Sequence, residues 1–280
     1  MEKHSRKPVY YIKRSLIYLA LVVSSVIMVI PFYWTLGTSL KLENHIFDNP
    51  PQWIPSPLTF MHYGNVLTRI PFPRYFLNSV IVTFSIVLAQ VFLNTLAAYA
   101  FAKLRFPGRD KIFFILLLGL MVPFQVNIIP MYKIMTILKF TDTYAALIAP
   151  SLTSIFGIFL MRQFMMSIPD EILDSARVDG CNEFGVFWRI MLPLCLPGVA
   201  TLVIFTFMGA WNDFLWPRIV INSENLFTLP VGLAQLQSKN TSNQGQIMAG
   251  TVLTALPMIL VFLLMQRQFI EGMTAGAIKE

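Results

Sequence analysis

The sequence predicts an all-α integral membrane protein of six transmembrane helices with both termini on the cytoplasmic side. Three observations carry that expectation. The 280 residues are 56% hydrophobic and only 12% charged, about half the charged share of a soluble domain. Six stretches, 15–40, 75–102, 112–132, 143–161, 190–212 and 240–266, hold no Asp, Glu, Lys or Arg. Each is long enough for the roughly 20 residues that cross about 30 Å of hydrocarbon. With the amino terminus inside, fourteen Lys and Arg fall on inner segments and seven on outer ones, the asymmetry that orients membrane proteins. The net charge of +7 is thereby accounted for without nucleic acid.

A basic tail, 1–14, precedes one transmembrane domain, 15–280, with no internal repeat. The first helix, about 15–36, is too long an apolar run for a cleavable signal, and no small-residue cleavage site follows it. In the outer loop 37–75, the charge-free part 49–68 carries Pro50, Pro51, Pro55 and Pro57. Prolines remove donors that a backbone in lipid must satisfy internally, which excludes it as a span. The second helix, about 76–99, carries Asn78, Thr83, Ser85, Gln90, Asn94 and Thr95. A basic turn, 103–111, leads to the third helix, about 112–130, with Gln125 and Asn127 between Pro123 and Pro130. The fourth helix is about 143–162. After the inner segment 163–195 come a fifth helix, about 196–216, a polar outer loop, 217–245, and a sixth helix, about 246–266. Cys181 and Cys195 lie on the reducing side, which argues against a disulfide. His4, His45 and His62 have no metal-ligand spacing.

Segment 163–195 is the unusual one. Pro169 suits a first helical position and Asp170 and Glu171 favour the positive end of a helix dipole, so a helix starts there. Gly180 fits a left-handed stop. Asn182 is a good cap for a second helix running to about Met191, before Pro193. Phe184, Phe187, Trp188 and Met191 then form one apolar stripe. Asp170, Glu171, Asp174, Asp179 and Glu183 outnumber Arg177 and Arg189, and an acidic segment gains nothing from an anionic leaflet. A short helix with aromatic anchors suits a partner's groove.

These residues resemble a known family. Asp174-Ser175-Ala176, Asp179-Gly180 and Phe187-Trp188-Arg189-Ile190-Met191-Leu192-Pro193 are similar to the "EAA" coupling loop of ABC-importer permeases, with Asp-Ser-Ala where the family usually has Glu-Ala-Ala. Asn78-Ser79, Tyr99-Ala100-Phe101-Ala102-Lys103, Trp211-Asn212-Asp213-Phe214-Leu215-Trp216-Pro217 and the tail from Gln266 to Lys279 resemble the carbohydrate-uptake branch, in particular the second permease subunit of the maltose transporter. The resemblance implies a type I ABC importer permease in a bacterial inner membrane. It also implies a heterodimer with a second permease, two cytoplasmic ATPase subunits that hold ATP and Mg, and an extracytoplasmic solute-binding protein. This chain itself has no G-x-x-x-x-G-K-[ST] phosphate loop, and no cofactor is expected on it. By resemblance the loop from Asp174 through Phe184 to Ile190, Leu192 and Pro193 docks on an ATPase. The tail reaches the ATPase pair, and Asn240, Asn243, Gln244 and Gln246 approach the binding protein. Gln125, Asn127, Trp211 and Asn212 are the candidate lining of a sugar path, since amides and aromatics suit hydroxylated solutes. The alternatives are the same importer class for a polyol, glycerophosphate or polyamine, or a secondary transporter. The latter often keeps acids in mid-membrane, whereas here no span interior holds one. No catalytic dyad, nucleophile motif or metal set suggests a membrane-embedded enzyme.

Overall fold

The computed structural model describes residues 6–239 and 243–275, all regular elements among them being helical. Asn240 and the tail residues 276–279 lie outside the described residues. In chain order the α-helices are α1 (Arg6–Ser39), α2 (Met61–Arg69), α3 (Phe72–Lys103), α4 (Arg109–Leu118), α5 (Phe124–Ile137), α6 (Tyr144–Ile148) and α7 (Ile155–Met166). They continue with α8 (Asp170–Val178), α9 (Glu183–Val186), α10 (Leu192–Leu194), α11 (Leu196–Trp211), α12 (Leu215–Val220), α13 (Leu229–Lys239) and α14 (Gln244–Ala275). Among the described residues, Lys13–Ser39, Phe72–Lys103 and Gln244–Arg267 are each long and apolar enough to cross a membrane. Three bent pairs also qualify, at 101° for α4 with α5, 42° for α6 with α7, and 78° for Glu183–Leu194 with α11. Length and composition thus allow up to six spans.

The third and fourth expected helices are not continuous. Between α4 and α5 the chain tightens into a 3₁₀ turn at Gly119–Met121 and breaks at Pro123. That proline has no N–H for the Gly119 carbonyl, and its ring crowds the same oxygen. Pro150 sits likewise in the 3₁₀ turn Ala149–Ser151, before Ser154 caps α7 by accepting from the Gly157 N–H at 2.8 Å. Helices α1 and α3 run past their expected ends, and the head of Lys103 at the end of α3 is taken up by the Ile168 carbonyl and Asp170.

The chain divides into two compact units, residues 1–70 with 235–253 and residues 71–234 with 254–280. In the first, α1 is exposed along most of its length and the buried side chains begin at its end and in the segment after it. Lys41 Nζ lies 4.4 Å from the centre of the Trp34 ring, and His62 Nε2 bonds the Lys41 carbonyl at 2.7 Å. The Glu43 carboxylate accepts from the N–H groups of Gln244 (2.8 Å) and Gly245 (3.2 Å), capping the start of α14.

In the second unit α3 packs against both α7 and α11. Four of its buried polar residues bond backbone elsewhere. Asn78 Nδ2 donates to the carbonyls of Asn225 and Phe227, both at 2.9 Å, while Asn78 Oδ1 accepts from Tyr144 Oη at 2.6 Å. Ser79 Oγ accepts from the Leu229 N–H at 2.7 Å. Gln90 Nε2 donates to the Ser151 carbonyl at 2.8 Å, and Asn94 Oδ1 accepts from the Ser154 N–H at 3.1 Å. The unwound chain between α6 and α7 is therefore bonded by two amides one helical turn apart on α3, where the break leaves backbone groups without helical partners.

Candidate functional site

Helix α8 opens directly after Pro169, with Asp170 and Glu171 in its first turn and Arg177 in its last. Its stop is glycine chemistry. Gly180 holds φ +85°, and the N–H groups of Gly180 and Cys181 donate to the carbonyls of Arg177 (3.1 Å) and Ala176 (3.0 Å). That pair of bonds is a Schellman closure, which needs the left-handed residue. Asn182 Oδ1 then accepts from the Gly185 N–H at 2.8 Å and starts α9.

The second short helix does not end at Met191. It passes through a π turn at Phe187–Met191 and on to Leu194. Pro193 cannot donate to the carbonyl four residues back, and the wider π turn takes up the mismatch. The direction change comes at Cys195 instead.

Leu173, Ala176, Val186, Phe187, Met191 and Cys195 join Ala98 and Tyr99 of α3, Met161 and Met165 of α7, and Leu202 of α11 in one buried core. The apolar stripe is consequently divided. Phe187 and Met191 are 2% and 0% exposed, whereas Phe184 and Trp188 are 68% and 45% exposed in the isolated chain. Phe187 is not an outward anchor. It seats the segment on its own bundle, with its ring 5.4 Å from that of Tyr99. Ile190 and Leu192 are half-buried, and Asp174, Ser175, Asp179, Gly180 and Pro193 are exposed.

Polar contacts lock the same joint. Tyr99 Oη donates to Glu183 Oε2 at 2.6 Å. Arg177 donates through Nε to Glu183 Oε1 (2.8 Å), through Nη2 to Glu183 Oε2 (3.2 Å) and through Nη1 to Asp174 Oδ1 (2.7 Å). Lys103 Nζ reaches the Ile168 carbonyl at 2.6 Å and Asp170 Oδ1 at 2.5 Å. The Arg177 hydrogen bonds hold the Glu183 carboxyl below its usual range and the Lys103 bond does the same for Asp170. Glu183 and Asp174 together raise Arg177. Sequence reasoning placed Asp174 in the coupling site and gave Tyr99, Lys103, Arg177 and Glu183 no role in it. Arg177 and Glu183 meet only because Gly180 reverses the chain between them, so no helical spacing advertises the pair.

The four path candidates do not converge. Gln125 and Asn127 are exposed on α5 beyond the break. Trp211 is buried, its ring stacked on Phe207 and its Nε1 donating to the Thr254 carbonyl at 3.0 Å. Asn212 is exposed, its Nδ2 donating to the Met208 carbonyl at 2.9 Å. None of the four lines the mixed cavity of about 270 Å³ in this unit, where Gln90, Ser151, Ser154, Thr206, Asp213 and Thr228 face a largely apolar wall that includes Phe156 and Phe205. Thr228 Oγ1 is buried there without a hydrogen-bond partner. Among the described residues no group of His, Cys, Asp and Glu could hold a metal ion.

Comparison with known proteins identifies the family of the chain. Residues 91–274 match the family described as binding-protein-dependent transport system inner membrane component. The chain is similar to the arabinooligosaccharides transport system permease protein AraQ of Bacillus subtilis, 34% identical over 286 residues covering 100% of both proteins. AraQ of Halalkalibacterium halodurans is 37% identical over 226 residues, 80% of this chain and 81% of that protein. The sn-glycerol-3-phosphate transport system permease protein UgpE of Yersinia pestis is 32% identical, covering 91% of this chain and 94% of its own. A chain in the crystal structure of a bacterial ABC transporter that imports the acidic polysaccharide alginate superposes with TM-score 0.81 at 22% identity, over 96% of this chain and 99% of that one. That likeness is one of fold.

Proposed function

The chain belongs to the family of binding-protein-dependent transport system inner membrane components, and from that premise we propose that it forms, with a second permease, the path by which a sugar or oligosaccharide enters a bacterial cell. Both termini lie in the cytoplasm in this reading, as the excess of Lys and Arg on the inner segments requires. Two separate ATPase subunits bind ATP and Mg, and one of them receives the segment Asp170–Leu194. A solute-binding protein delivers the sugar from the other side. The full-length likeness to AraQ supports an oligosaccharide as cargo. The likeness to UgpE favours a second reading, a glycerophosphate importer.

The observation that carries the ATPase reading is the divided stripe. Phe184 is left largely exposed, and Trp188 keeps a free edge while its ring stacks on Phe92 of α3, on a segment whose other face is seated. Two aromatics on a rigid support are what a partner's cleft grips, and burying them is favourable. A seated segment also transmits motion. Closing the ATPase pair around ATP moves α8 and α9, and their shared core carries α3, α7 and α11 with them.

The test is Phe184→Ala with Trp188→Ala. The ATPase subunits should be lost from the purified assembly, while the variant still inserts and runs at the wild-type size, since Phe187 and Met191 are untouched. Normal copurification with normal uptake would refute the assignment. Ligand binding by the partner solute-binding protein decides between sugar and glycerophosphate.

A further inference from the structure

The turn joining α3 to α4 packs Leu104 against the core described above and carries a second feature. It forms an open pocket of about 530 Å³ lined by Arg105, Phe106, Gly108, Arg109, Asp110 and Lys111. Asp110, the acid of that lining, is already engaged by Arg109 Nε at 3.2 Å and Arg162 Nη2 at 3.6 Å. Arg109 Nη1 donates to the Leu104 carbonyl at 3.3 Å. The neighbouring acid Asp170 is held by Lys103. Arg105 and Lys111 are exposed and enter no ion pair among the described residues, so positive charge is left over.

Two further features sit beside that charge. Gly108, at φ +81°, starts α4; the Arg109 N–H donates to the Phe106 carbonyl at 3.4 Å, and the next N–H groups of the first turn, which have no acceptor within the helix, suit an anion. One turn further on, Ile112, Phe114 and Ile115 are exposed on α4 at 49%, 63% and 66%. Cations and N–H donors at one end and bare apolar surface at the other match a molecule built the same way. We propose that this pocket binds the phosphate headgroup of an anionic phospholipid, with its acyl chains lying along α4. A phosphate alone would use the charge and leave the apolar surface bare; a lipid uses both.

The proposal is tested on the complete importer, purified and placed in nanodiscs of phosphatidylcholine with graded phosphatidylglycerol. Retention of phosphatidylglycerol is read by native mass spectrometry. A basic side chain near an anionic surface is worth roughly fivefold in affinity, so Arg105→Gln with Lys111→Gln should weaken retention about 25-fold. The charge-preserving variant Arg105→Lys with Lys111→Arg should retain the lipid, which separates charge from folding. Equal retention in the Gln variant overturns the proposal. Displacement of the lipid by millimolar inorganic phosphate overturns it in favour of a free anion. A cross-link from position 111 to an ATPase subunit in place of lipid overturns it in favour of a protein contact. Uptake measured on the same samples tests the transport reading separately.

Discussion

The hydrogen bond from Tyr99 to Glu183 fastens the ATPase-facing segment to α3, and Tyr99→Phe removes it while keeping the ring that packs on Phe187. A bond from a neutral donor to a carboxylate contributes about 1.5–3 kcal/mol. Glu183 is 46% exposed and keeps both Arg177 contacts, so solvent and the remaining partner reduce the loss to about 1 kcal/mol. That is about fivefold in any equilibrium between fastened and loosened segments. In proteoliposomes holding the complete importer, ATP hydrolysed per solute imported should rise by up to that factor, with subunit composition unchanged. Glu183→Ala is a larger lesion, because it also releases Arg177. In that background Tyr99→Phe should have no further effect, since its acceptor is gone. An equal effect of Tyr99→Phe in both backgrounds, or none in the wild type, refutes the joint as the coupling element.

Other substitutions separate packing from path. A Cβ at Gly157 would overlap Asn94 Nδ2 and lie 2.7 Å from Ser154 Oγ and 2.9 Å from Leu202 Cδ1, so Gly157→Ala should cost about 1–3 kcal/mol by overpacking. Gly209 has no heavy atom within 4 Å of the same position, and Gly209→Ala should leave thermal unfolding in detergent unchanged or slightly raised. Trp211→Ala should cost about 3–5 kcal/mol as a core deletion, lowering the melting temperature and yield without changing which solute is imported. Asn212→Ala should leave stability unaffected. Asp170 and Glu183 have depressed pKa values. Their contribution is therefore complete above the ordinary carboxylate range and lost as pH falls through their lowered values. Hydrogen exchange at the Gly180 and Cys181 amides, corrected for intrinsic rate, should stay flat from about pH 6 to 8 and rise only below about pH 4.

What the sequence made legible is what neighbouring residues decide among themselves. Gly180 and Asn182 were readable because a left-handed stop and a side-chain cap involve only four or five successive residues. The apolar stretches were readable because lipid imposes one length on every span. The division of the aromatic stripe was not, since periodicity puts Phe184, Phe187, Trp188 and Met191 on one side without saying how much of that side the bundle covers. The π turn required by Pro193 shifts that face again. The polar residues of α3 show the limit most clearly. As a string, Gln90 and Asn94 could equally line a path or bond another helix. Their roles follow from a break some 60 positions away, where Pro150 leaves the chain around Ser151 and Ser154 without helical partners. Gln125, Asn127, Trp211 and Asn212 are not brought together within this chain, for the converse reason. Pro123 turns the first two onto an exposed stretch, and the indole N–H of Trp211 is taken by the Thr254 carbonyl. A polar residue in a span is thus assigned by the backbone that the rest of the fold leaves unbonded. The cavity beside Gln90, where Thr228 Oγ1 has no partner, is accordingly where a path-lining role has the better physical claim.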